Sequence, residues 1–209
     1  MAVSNNSANI EMQLPVMEAF YTLQGEGMHS GRAAYFIRLA GCDVGCHWCD
    51  VKESWQTENY PLLGIEAIIA GALAYPSRLV VITGGEPFMH DLVSLTDGLK
   101  KAGFEINIET SGAHPASGHF DWICLSPKKF KNPLTEIYAQ AQELKVIVYN
   151  NSDFKWALEE SGKVGKDCNL LLQPEWSKQE KMLPLIIDFI KEHPEWRMSL
   201  QTHKWMQIP

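Results

Sequence analysis

The chain has 209 residues, 45% of them hydrophobic, enough for one domain with a sizeable core. Eighteen Lys and Arg against 25 Asp and Glu give a formal net charge of −7, which argues against broad binding to nucleic acid or to an anionic membrane. Five cysteines, an odd number with three clustered at positions 42, 46 and 49, exclude a secreted disulfide framework.

Residues 1–14 are polar, lack the charged and apolar parts of a signal peptide, and read as an N-terminal extension to a single domain at residues 15–209. With no apolar run near the ~20 residues of a membrane span, a reducing cytoplasm is the expected location. A short strand is expected at residues 16–21, closing into Leu23-Gln24-Gly25-Glu26-Gly27. Residues 33–40 form an apolar run that reads as a buried strand and leads into Cys42-Asp43-Val44-Gly45-Cys46-His47-Trp48-Cys49. Ile65, Ile68, Ile69 and Leu73 mark one helical face over residues 64–74, whereas residues 51–61 show no clear period.

From there strands alternate with helices. Apolar runs at residues 79–82, 105–108, 121–125, 144–148, 169–172 and 197–200 read as strands. Helices are expected around Leu92, Leu95 and Leu99, over residues 152–161, and over residues 181–192, where Pro184 should interrupt the start. This rhythm predicts an α/β fold, a partial (β/α) barrel with about six or seven parallel strands, since a closed eight-unit barrel takes ~250 residues. Polar and glycine residues follow each strand, on the side where such barrels build their sites.

Three thiolates this close repel one another unless a metal takes up the charge, and the C-x3-C-x2-C spacing suits an iron–sulfur cluster with one iron left open. A structural zinc site, with His47, Cys124 or Cys168 as fourth ligand, is a second reading, although zinc motifs usually come as two pairs. Three buried free cysteines are a third. Cys124 and Cys168 read as core thiols. Thr83-Gly84-Gly85-Glu86-Pro87 is either an ordinary strand-to-helix turn or a place where a ligand approaches the main chain; it is not a phosphate loop.

The cysteine loop, with Trp48 before its third cysteine, and Gly84-Gly85-Glu86-Pro87 together resemble the radical S-adenosylmethionine (SAM) enzymes. Within them, Thr22-Leu23-Gln24-Gly25-Glu26-Gly27, Ile37-Arg38-Leu39-Ala40-Gly41-Cys42, Ile108-Glu109-Thr110-Ser111-Gly112, Ser126-Pro127-Lys128 and Leu200-Gln201-Thr202-His203-Lys204 resemble the 7-carboxy-7-deazaguanine synthase family, from about residue 16 to the last. The resemblance implies that Cys42, Cys46 and Cys49 hold a [4Fe-4S] cluster whose fourth iron is chelated by SAM. Gly85 and Glu86 would bind the methionyl end, with Glu86 accepting from its amine. His47 and Trp48 would lie beside the adenosyl part, and Ser126, Pro127, Lys128, Gln173, Pro174, Glu175 and Trp176 would line the nucleoside pocket.

The implied substrate is 6-carboxytetrahydropterin, met by Leu23, Gln24 and Gly25 along its polar edge, by Arg38 at its carboxylate, and by Thr83, His203 and the end of the chain at Pro209. Glu26 would orient the substrate or fill a turn. The implied reaction cleaves SAM to a 5′-deoxyadenosyl radical, abstracts hydrogen, contracts the ring and releases ammonia, with the cofactors carrying the hard chemistry. The product would feed queuosine synthesis without the enzyme binding tRNA. A flavodoxin or ferredoxin donor and a homodimer come with the resemblance. Where the family has a hydroxyl residue that helps bind Mg2+, this chain has Val51, which offers no side-chain oxygen, leaving Asp50 as the neighbouring hard ligand. A glycyl-radical activase, which shares the cysteine spacing but acts on a protein, and a non-enzymatic zinc module are the alternatives.

Overall fold

The computed structural model describes residues 12–209; most of the expected extension at residues 1–14 lies outside it, and its last two residues belong to the first strand. One nine-stranded sheet runs in the order β3-β1-β2-β4-β5-β6-β7-β8-β9. Its strands are β1 (Gln13–Leu23), β2 (Ala33–Leu39), β3 (Leu62–Gly64), β4 (Leu79–Gly84), β5 (Glu105–Thr110), β6 (Trp122–Leu125), β7 (Glu143–Val148), β8 (Asn169–Pro174) and β9 (Trp196–Met198). The helices are α1 (Ile65–Leu73), α2 (Val93–Lys101), α3 (Thr135–Gln140), α4 (Ser152–Ser161), α5 (Gln179–Glu192) and α6 (Thr202–Met206).

Strand β2 and strands β4 to β9 are mutually parallel, the seven strands at the top of the expected range. The first strand differs from expectation: β1 is 11 residues long and antiparallel to both β2 and β3. It extends beyond its apolar core because it pairs on both sides, with a register shift between Val16 and Glu18. Helix α5 runs unbroken through Pro184, against the expected interruption; Pro184 is exposed, so water can hydrate the carbonyl that its missing N–H leaves free. Among the described residues no helix is long and apolar enough to cross a membrane.

Alternation along the strands divides the sheet into two faces. Val80, Ile82, Ile106, Ile108, Leu125, Leu144, Val146, Val148 and Leu172 point to one face, where they form the main core with Ile68 of α1, Leu95 and Leu99 of α2, Ile137 of α3, Ala157 of α4 and Ile186 of α5. The intervening positions, Thr83, Glu109, Lys145, Ile147 and Gln173, line a cavity on the opposite face. Helices α1 to α5 thus cover one side of the sheet and leave the strand ends of the other open to a ligand.

Candidate active site

The cavity has a volume of about 440 Å³ and is walled mainly by the ends of the parallel strands and the segments that follow them. That size suits one or two small organic molecules. Leu23, Gln24, Gly25, Arg38, Cys42, Cys46, Trp48, Cys49, Thr83, Gly85, Glu86, Ser126, Lys128, Gln173, Pro174, Glu175, Trp176, His203 and Pro209 all line it. Two expected residues do not. His47 is exposed and packs edge-on against Trp48, Phe130 and Tyr149, while Pro127 is buried behind Ser126 and Lys128.

At one end the cysteine loop is stitched to its surroundings by backbone hydrogen bonds. Gly41 N donates to Ser54 O at 2.6 Å, Gly85 N to Leu39 O at 2.8 Å and Glu86 N to Gly41 O at 2.8 Å. Gly84 has φ +123°, a conformation open to glycine, and a Cβ on Gly85 would collide with the Gly41 carbonyl. The two glycines therefore let the turn after β4 lie flat against the cysteine loop.

Cys42, Cys46 and Cys49 pack into one small cluster with Val44 and Ala113. Burial pushes the Cys42 thiol up, with Glu86, Cys49 and Asp43 adding to the effect. Burial likewise pushes Cys46 up to about 11, against the pull of nearby Lys128. A metal arriving here must therefore displace protons from Cys42 and Cys46. Among the described residues no set of three His, Cys, Asp or Glu already surrounds a metal position. Neither Cys124, buried on β6, nor Cys168, just before β8, joins the cluster, so the fourth thiolate of a closed site is not at hand. Three soft donors in one loop, facing a cavity, fit a cluster with an open iron.

Glu86 is 1% exposed, and its carboxylate is clasped by four neutral donors. Phe88 N donates to Oε1 at 3.0 Å and Thr110 Oγ1 to Oε1 at 2.6 Å; Ser111 N donates to Oε2 at 2.7 Å, joined there by Ser111 Oγ. The expected direct acceptance from a ligand amine thus competes with a full set of internal partners. What remains available is the charge itself.

The cavity floor is different. Lys145, on β7, is 2% exposed, and its Nζ donates to Glu26 Oε2 and to Glu109 Oε2, both at 2.6 Å. Gln24 Nε2 donates to Glu109 Oε1 at 3.0 Å, and Gln201 Nε2 donates to Glu26 Oε1 at 3.0 Å. Burial opposes a charge on Lys145, but Cys124, Glu109, Glu26 and Glu143 outweigh it and raise its pKa well above the ordinary value. Burial likewise works against Glu26, and Lys145 overrides it, holding that carboxyl at about 2. Glu26 does more than fill a turn.

The last segment closes the wall. Thr202 N and Oγ1 donate to Gly25 O at 2.9 and 2.8 Å, and Lys204 Nζ donates to Asp50 Oδ2 at 2.8 Å. Burial lowers His203 below its ordinary value. Arg38 faces the cavity with its Nε donating to Glu18 Oε1 at 2.6 Å. Lys128 Nζ donates to Ser126 O and Oγ, both at 2.6 Å, and lies 5.7 Å from the centre of the Trp48 ring.

Lys145 and Glu109 were not among the residues singled out in the sequence. The signal was present: a lysine inside Leu144-Lys145-Val146-Ile147-Val148, a run that otherwise reads as a fully buried strand.

Residues 36–162 match the model of the radical SAM superfamily. The chain is 55% identical over 196 residues to the 7-carboxy-7-deazaguanine synthase of Flavobacterium psychrophilum, covering 94% of this chain and 93% of that one. It is 46% identical over 208 residues to the enzyme of the same name from Synechocystis, with 100% of each chain covered. Its fold is similar to the crystal structure of QueE from Escherichia coli, with a TM-score of 0.82, 36% identity, and 90% of this chain and 94% of that one covered.

Proposed function

Because the chain belongs to the 7-carboxy-7-deazaguanine synthases of the radical SAM superfamily, we propose that its cavity contracts the ring of 6-carboxytetrahydropterin to 7-carboxy-7-deazaguanine, with loss of ammonia, for queuosine biosynthesis. The observation that carries this reading is the meeting, in one cavity, of the three-thiol loop, the Gly84-Gly85 turn and the charged floor around Lys145. The family implies a [4Fe-4S] cluster and SAM, which when bound supply the hydrogen-abstracting radical.

The protein's own part is holding and shielding. Cys42, Cys46 and Cys49 would hold the cluster, and the narrow Gly84-Gly85 turn leaves room for the methionyl end. Glu86, a buried carboxylate with only neutral partners, attracts the ligand's ammonium through its field. Ser126, Lys128, Gln173, Pro174, Glu175, Trp176 and Trp48 would line the nucleoside. Leu23, Gln24, Gly25, Thr83 and His203 would surround the pterin, with the free end of the Arg38 guanidinium at its carboxylate, and Thr202 and Pro209 would shut the wall against water.

For Mg2+ the chain offers little: Val51 has no side-chain oxygen, and Asp50 Oδ2 is taken by Lys204 and Gln201. We place the enzyme in the cytoplasm as a homodimer supplied by a flavodoxin or ferredoxin. The decisive experiment is anaerobic reconstitution with iron and sulfide, then incubation with SAM, a one-electron reductant and 6-carboxytetrahydropterin. Formation of 7-carboxy-7-deazaguanine by mass spectrometry is expected. A protein that loads its cluster and cleaves SAM yet leaves the pterin unchanged overturns the substrate assignment.

A further inference from the structure

The floor of the cavity is a continuous chain of five side chains, Gln24–Glu109–Lys145–Glu26–Gln201, in which one buried ammonium joins two carboxylates and an amide ends each side. Its members come from four places: the loop after β1, the end of β5, the middle of β7 and the segment after β9. A charge this deep is costly unless paired, so its presence within the apolar run Leu144-Lys145-Val146-Ile147-Val148 calls for a use. Glu26, Glu109 and Lys145 all reach the cavity wall. Lys145 occupies one oxygen of each carboxylate, and the lone pairs that remain are fixed in direction by the same bonds.

We propose that Lys145 is the positioning residue of the substrate floor, a buried cation that clamps Glu26 and Glu109 at a fixed separation so that they can accept from the N–H groups of a 2-aminopyrimidinone ring. This rests on the pterin assignment above. The ligand class follows from the arrangement: two aimed carboxylates suit a flat edge rich in donors, and a single net negative charge across the trio suits a ring that shares or gains a proton there. The groups facing Lys145 are Glu26 from the β1 loop, Glu109 from β5, Cys124 from β6, Glu143 on its own strand, and Lys128 and His203 beyond the strand ends. Glu143 is turned aside, accepting from Met28 N and Trp122 Nε1 at 3.2 and 3.0 Å, so the lysine serves the two cavity carboxylates.

The test is Lys145→Met, with Lys145→Arg beside it, in cluster-loaded protein. Equilibrium dialysis of pterin-6-carboxylate across a pH series reads the floor, and SAM affinity reads the other end of the cavity. Lys145→Met should weaken the pterin on the order of 10–100-fold, the worth of one or two charge-assisted hydrogen bonds, with SAM affinity unchanged within about two-fold. Burial without the cation favours the protonated Glu26 carboxyl, so pterin affinity should fail at a pH higher by about one unit or more than in the wild type. Lys145→Arg should return that acid limb towards the wild-type position. A limb that stays put in Lys145→Met, or pterin and SAM affinities that fall together, overturns the proposal. If Lys145→Met does not fold, the double variant Lys145→Met with Glu109→Gln, which strands one carboxylate rather than two, must show the raised limb of Glu26. Wild-type turnover judges the function separately: an active wild type with an unshifted Lys145→Met profile sinks this inference alone.

Discussion

Two acidic sites, Glu86 fully buried and the Glu26–Glu109 pair half-buried, face the same cavity and stabilise their carboxylates in opposite ways. Glu86 is satisfied by four neutral donors, two of them backbone amides, and among the described residues no cation hydrogen-bonds to it. Glu26 and Glu109 are satisfied by a lysine whose charge offsets half of theirs. The first arrangement is rigid and leaves a field for an incoming cation. The second spreads one net negative charge over three side chains whose directions are fixed, so recognition there depends more on where the lone pairs point. One end of the cavity is thus built to hold a charged cofactor, and the other to read the edge of a flat ring.

The largest expected effect separates the two ends outright. Cys46→Ala should abolish iron loading and SAM cleavage together, because the loop has no fourth thiolate to substitute. Pterin-6-carboxylate binding should persist, since the floor shares no donor with the loop. Iron content, visible absorption and dialysis measure the three. Retained SAM cleavage in iron-free Cys46→Ala protein would remove the metal reading altogether.

Glu86→Gln ranks next. An amide at that place offers one acceptor oxygen where the carboxylate offers two, so Ser111 N and Ser111 Oγ lose their partner inside the fold. Stability should fall by about 2–4 kcal/mol, roughly two buried hydrogen bonds, with SAM affinity falling more than pterin affinity. Because the partners inside the fold are neutral, added salt should scarcely alter the stability loss. A loss that shrinks steeply in salt would mean that Glu86 is paired electrostatically after all, and would erase the distinction between the two ends.

Glu26→Gln should cost less, on the order of 1–3 kcal/mol at neutral pH, and its cost should depend on acidity. The folded carboxyl is held at about 2 against an ordinary value of 4.5, so its contribution is complete above 4.5 and fades as the pH falls towards 2. Chemical denaturation of both proteins at several pH values checks the sign. A difference between them that grows on acidification contradicts the pairing with Lys145.

Much of this architecture was legible in the sequence because strands with one face on helices and another on a cavity leave clear apolar runs. Helix α4 was expected over the residues it occupies, and the ends of β4, β6 and β8 were already marked by polar residues. What was not legible was short or paired across the chain. Strand β3, helix α3 and helix α6 have three, six and five residues, too few for a period to show. Leu23, Gln24 and Gly25 could be placed at the site by resemblance, but the partners of Glu26 lie 119 and 175 positions away, at Lys145 and Gln201. His47 sits next to a cysteine yet turns outward to Phe130 and Tyr149, a choice that adjacency in sequence does not reveal.

Val51→Thr should have the smallest effect and sharpens the contrast at the seam between the two ends. Val51 lines the cavity just beyond the cysteine loop, beside Asp50, whose Oδ2 accepts from Lys204 at 2.8 Å and Gln201 at 3.3 Å. A cation here would have to draw Asp50 away from Lys204, and the valine gives nothing in return. The chain therefore bridges the cysteine loop and the C-terminal segment with an ammonium where a hard metal ion would need oxygen. Threonine is close in size and adds one hydroxyl, so the fold should shift by no more than about 1 kcal/mol while turnover becomes more responsive to Mg2+. Turnover by the wild type and by Val51→Thr, measured over a Mg2+ series with chelator-treated controls, decides the point. Identical responses would show that the hydroxyl is irrelevant here and that the seam is governed by Asp50 and Lys204 alone.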